Sequence, residues 1–163
     1  MDKLLVLKIA AALGCALIAG VFFAFSAFVM RALARLPPSQ GIAAMQSINV
    51  AAVRPLFMTV LFGTAAACLF LAVWSLRHWQ HQPDSVYLLA GSLLYLVGTV
   101  LVTILFNVPF NDALARVEPS SATGAQLWAS YLVLWTAWNH VRTVTALAAA
   151  AAVTIALCQR VAE

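Results

Sequence analysis

Leu56-Phe-Met-Thr-Val-Leu-Phe-Gly-Thr-Ala-Ala-Ala-Cys-Leu-Phe-Leu-Ala-Val-Trp-Ser-Leu76 contains no charged residue over 21 positions. About 20 apolar residues are enough for an α-helix to cross the hydrocarbon core of a bilayer. The stretch therefore reads as a membrane span, preceded by Arg54-Pro55 and closed by Arg77-His78-Trp79. Three further apolar stretches, at about 4–30, 86–106 and 141–158, have the same character. The chain of 163 residues is 64% hydrophobic and 9% charged, with mean hydropathy +0.98. A soluble domain carries about 25% charged residues, so lipid is the principal solvent here. One membrane domain, 1–163, is expected, and its direction alternates across the bilayer with each stretch.

The first stretch has one charge, Lys8, near its start, and ends at Arg31, Arg35 and the helix-breaking Pro37-Pro38. It runs past Cys15 to Met30, beyond the apolar core of a signal peptide, and is expected to be a retained helix. Ser39 is placed to cap a less apolar helix, Gln40 to Val53, and Pro55 marks either a kink or the first turn of the second span. In the third stretch Gly91 and Gly98 are seven apart, which suits a close helix neighbour. That stretch is expected to end in Asn107-Val-Pro109-Phe-Asn111-Asp112, where Pro109 frees backbone groups beside two amides. The fourth helical region starts near Thr123 and, unbroken to Cys158, would measure about 54 Å. The hydrocarbon core is about 30 Å thick. Helices 2 and 4 are therefore expected to extend beyond it at their N-terminal ends.

The two halves echo each other. Arg31-Ala-Leu-Ala-Arg35-Leu-Pro-Pro38-Ser39 aligns with Asp112-Ala-Leu-Ala-Arg116-Val-Glu-Pro119-Ser120 at a constant offset of 81 residues, which also matches Ser26 with Asn107. The pattern points to a duplicated two-helix unit with its axis along the membrane normal. Orientation stays open, because Lys3, Lys8, Arg77 and Arg160 flank one face and Arg31, Arg35, Arg54 and Arg116 the other. The formal net charge of +4 is scattered and forms no nucleic-acid surface. Cys15, Cys68 and Cys158 fall singly in three stretches, and read as small apolar residues rather than a disulfide or redox pair.

Alternating direction brings all four asparagines, Asn49, Asn107, Asn111 and Asn139, to one end of the helices, with Arg54 and Arg142 beside them. Polar groups in or near hydrocarbon are costly and are retained for packing or function. Trp135, Trp138, Asn139 and Arg142 stand at i, i+3, i+4 and i+7, one helical stripe. Two indoles, an amide and a guanidinium suit a flat polar aromatic, the rings stacking and the guanidinium holding an oxyanion. An interfacial aromatic belt with a snorkelling arginine uses the same residues. Asn107 and Asn111 either cap a broken helix end or donate to developing negative charge. His140 has the pKa range of a general base, with Asp112 a second candidate, and a packed structural histidine is the alternative. His78 and His81 lie at the opposite end from His140, so no metal or haem ligand set is formed, and no nucleotide fingerprint is present.

Gly20-Val-Phe-Phe-Ala-Phe-Ser-Ala-Phe-Val-Met30, Asn107-x-Pro109-x-Asn111 and Trp138-Asn139-His140-Val141-Arg142-Thr143 together resemble the anthrone-oxygenase-like family of small membrane proteins. The resemblance covers nearly the whole chain. It implies an all-α, up-down four-helix membrane bundle, and a monooxygenase-type oxidation of an anthrone to an anthraquinone by O₂ without a cofactor. Matched to the motif, Asn107, Asn111, Trp138, Asn139 and Arg142 form the pocket, with Asn49 and Trp135 added from the residue reading and His140 as inferred base. The expectation is thus a multi-pass integral protein, with a bacterial inner membrane as its location. Its expected partners are lipid, a lipophilic aromatic or quinone-like molecule and O₂. A homo-oligomer is left open. The rival expectation is a non-catalytic lipophile-binding or structural bundle.

Overall fold

A computed structural model of the chain describes residues 3–79 and 83–159; His81 and Arg160 of the sequence analysis lie outside them. Five helices account for the described structure: α1 Lys3–Leu33, α2 Pro38–Ala52, α3 Pro55–Arg77, α4 Ser85–Ala115 and α5 Ala122–Gln159. All but α2 are long and apolar enough to cross a membrane. They form an all-α bundle in which α1 packs along α5, α5 along α4, α4 along α3, and α3 along α1. Only about a third of each spanning window is buried inside the bundle. Leucines and phenylalanines such as Leu13, Phe62, Leu69 and Leu147 point outward, as lipid-facing surfaces require.

Prolines set the helix boundaries, with two departures from expectation. Pro38, not Ser39, stands at the first turn of α2, after Pro37 in an extended conformation. The long second helix is in fact two: the chain breaks at Val53-Arg54, and Pro55 opens α3. In α5, by contrast, no break occurs over 38 residues.

The larger departure is in α4. The helix does not end at Phe106 but continues through Pro109 to Ala115, so the Asn107–Asn111 motif is helical. Two π-helical segments, Leu94–Leu101 and Thr103–Asn107, precede the proline. Pro109 lacks an N–H and crowds the carbonyl one turn back. The wider winding just ahead of it lets the helix pass this point without ending. The same winding has a second effect. Ser92, Tyr95, Thr99, Thr103, Asn107 and Asn111 recur mostly every fourth residue. In a pure α-helix a four-residue repeat rotates about 40° per step; the π-helical turns offset that drift. Ser92, Tyr95, Thr99 and Asn107 are consequently all fully buried. A shorter π-helical segment, Phe25–Val29, occurs in α1.

Small residues let the helices close. Ala146, Ala149 and Ala150 of α5 form a core with Ile18, Ala19 and Phe22 of α1 and Tyr95 of α4. Gly98 takes the close approach expected of it: a Cβ there would lie 2.4 Å from Thr145 Cγ2 on α5. A second core packs Ile42 and Met45 of α2 on Trp128, Tyr131 and Trp135 of α5, with Met30, Leu33 and Leu114. It fastens α2 over the end of the bundle where the asparagines lie. Gly98→Leu is expected to destabilise the bundle by about 1–3 kcal/mol through overpacking, read as a lower unfolding midpoint in detergent, whereas Gly20→Leu, with open space around its Cβ, should leave the midpoint unchanged.

Candidate functional site

Arg142 is the centre of the polar end. Its side chain is 4% exposed, so the snorkelling alternative does not hold. Nη2 donates to Asn139 Oδ1 at 2.8 Å and Nη1 to Thr103 Oγ1 at 3.2 Å. The guanidinium carbon lies 4.1 Å from the Phe22 ring centroid and 5.1 Å from that of Trp135. Ring faces stabilise a cation in this way when water is excluded. Among the described residues no carboxylate pairs with Arg142, and its Nε is buried without a hydrogen-bond partner. A buried guanidinium without a counter-ion is costly, and an ionisable group held this way inside a membrane bundle marks a candidate functional site.

The amides around it divide the work. Asn139, fully buried, donates from Nδ2 to the Phe22 carbonyl and to Ser26 Oγ, each at 2.8 Å, while its Oδ1 accepts from Arg142. It is a bracket tying α1 to the guanidinium. Ser26 Oγ also lies 3.1 Å from Thr143 Oγ1. Asn107 Nδ2 donates to the Trp135 carbonyl at 3.1 Å, and its buried Oδ1 has no partner. Ser26 and Asn107, matched by the 81-residue offset, thus both engage α5.

Asn111 Oδ1 accepts two hydrogen bonds of 2.8 Å, from the Tyr131 hydroxyl and from Trp135 Nε1–H. Two donors on one oxygen fix which end of the amide is which. Its NH₂ then faces away from them as a donor. Asn49, half-buried on α2, lies beside the Tyr131 hydroxyl, and its Nδ2 is buried without a partner. Tyr131 and Trp135 stack at 5.7 Å and Trp128 and Tyr131 at 5.5 Å, an aromatic column behind the amides. Trp138, half-buried, stacks on Phe106 at 3.7 Å and 10°.

Asn107, Asn111, Trp135, Asn139 and Arg142 therefore come together, with Asn49 at the edge. His140, Asp112 and Arg54 do not join them; all three are exposed. His140 follows Asn139 by one position, about 100° further round the helix, and the buried stripe leaves it outside. Sequence reasoning missed Phe22, Ser26, Thr103 and Tyr131. The offset that paired Ser26 with Asn107 was the usable signal for one of them. It also missed a second polar centre at the opposite end, where Lys8 is buried and ion-paired with Asp84, 5.3 Å from the Trp74 ring. Cys15 and Cys68, read as isolated, touch across α1 and α3 with sulfurs 4.0 Å apart.

The family described as anthrone oxygenase matches residues 56–152, which hold α3, α4 and most of α5. No curated protein and no solved structure matches the chain. From the bracket geometry, Asn139→Ala is expected to lower bundle stability by about 1–2 kcal/mol, since it removes two interhelical hydrogen bonds. Thermal unfolding in detergent measures this, and Asn139→Gln should not restore the loss because its longer side chain cannot meet Ser26 and Arg142 together.

Proposed function

The chain belongs to the anthrone oxygenase family, and from that premise we propose that it is a membrane-embedded oxygenase acting on a lipophilic aromatic with an acidic C–H conjugated to a carbonyl. The observation that supports this most is the unpaired Arg142 guanidinium, buried between two ring faces. Such a ligand becomes an enolate on losing its proton, and its negative oxygen is the charge the site lacks. A preorganised cation and amide donors in a water-poor setting stabilise that charge most when it develops.

In the proposed reaction the substrate CH₂ loses a proton to water at the edge of the site, where Asn49 and Asn111 are only half-buried. Its enolate is held by Arg142 in the water-poor interior, with the Asn111 NH₂ as a further donor. The electron-rich carbon reduces and adds O₂, and one proton returns to give a hydroperoxide. Loss of water from the hydroperoxide leaves a second carbonyl. The sum is CH₂ plus O₂ giving C=O plus H₂O, so electrons balance between substrate and O₂ and no cofactor is required. Asn139 acts through Arg142 as a positioning residue. Trp135, Trp138 and Asn49 complete the binding surface. His140, first considered as base, lies on the exposed face of α5 and is given no part in the proton transfer.

A structural reading uses the same network as a pin between α1, α4 and α5. It is favoured by the complete use of the Asn139 amide within the protein. It leaves Arg142 Nε and Asn107 Oδ1 unexplained. Thr103→Asp separates the two. A carboxylate next to Arg142 Nη1 supplies the counter-ion, so the bundle should stay folded while O₂-dependent oxidation of an anthrone, followed by quinone absorbance, falls at least about 100-fold, the scale of one lost oxyanion donor. Arg142→Gln should show a similar loss and His140→Ala wild-type turnover. Undiminished oxidation by Thr103→Asp would overturn the proposal.

A further inference from the structure

The seam between α1 and α3, on the outside of the bundle and away from Arg142, is grooved along its length. Near the start of α1 a groove of about 410 Å³ is walled by Leu7, Phe70 and Trp74, with Lys3 at its rim. Deeper along the same seam a second groove of about 320 Å³ runs between Leu13 and Leu17 on α1 and Val60 and Gly63 on α3. The positions succeed one another at helical spacing: 3, 7, 10, 14 and 17 on α1, and 74, 70, 67, 63 and 59 on α3. Lys3 to Leu17 is about 21 Å of helix, roughly the depth of one leaflet with its headgroups.

The charges are at one end only. Lys3 is exposed one turn outward of Leu7, and Arg77 is exposed one turn outward of Trp74 on the Phe70–Trp74 stripe. Among the described residues neither forms an ion pair. On this face, among the described residues, the one carboxylate is Asp84, and it is taken by the buried Lys8. Two cations with no carboxylate partner among the described residues thus stand at the water end of an apolar trough that points into the bilayer, with an indole at the depth where tryptophan settles among headgroups.

We infer that this seam binds an anionic phospholipid, its phosphate between Lys3 and Arg77 and one acyl chain lying along the trough toward Gly63. Charge decides against a second copy of this chain as the occupant. A twofold contact through the seam would set Lys3 and Arg77 against the same two cations of the other copy, whereas a lipid phosphate neutralises them. Each cation near an anionic headgroup contributes about a fivefold gain in affinity.

The test uses the full-length protein, delipidated in mild detergent and titrated with dioleoylphosphatidylglycerol or dioleoylphosphatidylcholine, with bound lipid and oligomeric state read by native mass spectrometry. The glycerol lipid should bind more tightly than the choline lipid. Lys3→Ala and Arg77→Ala should each reduce that preference about fivefold. A Cβ at Gly63 meets nothing within 4 Å, so Gly63→Leu should fold, fill the trough and lose one bound lipid, while Gly20→Leu, open but outside the trough, retains it. Equal affinity for the two lipids overturns the inference. So does a Gly63→Leu protein that keeps its lipid, or one whose only change is from dimer to monomer.

Discussion

A cation has been placed inside an apolar bundle without an anion, and much of the polar end is arranged around that fact. Transferring a guanidinium from water into such a setting costs several kcal/mol even after relaxation. The protein offsets part of this with neutral partners: the Asn139 carbonyl oxygen, the Thr103 hydroxyl and the faces of Phe22 and Trp135. Each partner comes at a structural condition. Asn139 can present its oxygen to Arg142 only while its NH₂ is occupied by Phe22 and Ser26 of α1. Thr103 reaches Nη1 from α4. The guanidinium thereby couples the register of three helices.

The two ends of the bundle treat the same problem differently. At the far end Lys8 is neutralised by Asp84, the ordinary resolution of a buried charge. At the asparagine end no carboxylate among the described residues pairs with Arg142, Asp112 and Glu118 both being exposed, and polar atoms of Arg142, Asn107 and Asn49 are left without partners. Buried polar groups in folded proteins are overwhelmingly satisfied. Unpartnered atoms occur toward both ends here, Ser75 Oγ and Asp84 Oδ1 among them at the far one, so it is the missing counter-charge that sets the asparagine end apart. The contrast within one chain is informative. The same chain pairs a buried lysine with an aspartate at one end and surrounds a buried arginine with neutral partners at the other.

How much of this was legible in the letters varies with the physics that decides each feature. Four apolar stretches follow from composition and length, so the four long helices of the bundle could be read directly. The convergence of Asn107, Asn111, Asn139 and Arg142 followed from alternating direction alone. Helix ends were harder. Pro109 reads as a terminator by local rules, and only the π-helical turns before it, which no residue pattern announces, let α4 continue to Ala115. Pro55, where two outcomes were open, proved to begin α3 after a real break. Pairings across helices were least legible. Lys8 with Asp84 and Cys15 with Cys68 depend on axial stagger of a few ångströms, which the sequence does not encode in any short window.

Orientation of the amides is where structure alters the chemistry inferred from the sequence. Read as letters, Asn139 is the natural oxyanion donor, because it shares a stripe with Arg142 and two indoles. In the fold both its donors and its acceptor are engaged, so a ligand could use it only by dismantling the link to α1. Asn111 is the reverse case. Two hydrogen bonds converge on its oxygen from Tyr131 and Trp135, and this leaves the NH₂ as the available end. The aromatic column therefore has a directional role beyond packing. Its phenol and indole donors set the polarity of an amide that, in isolation, would present either end equally well. The amide whose donor end stays available thus comes from α4, and the π-helical turns carry the inward stripe of that helix through to it.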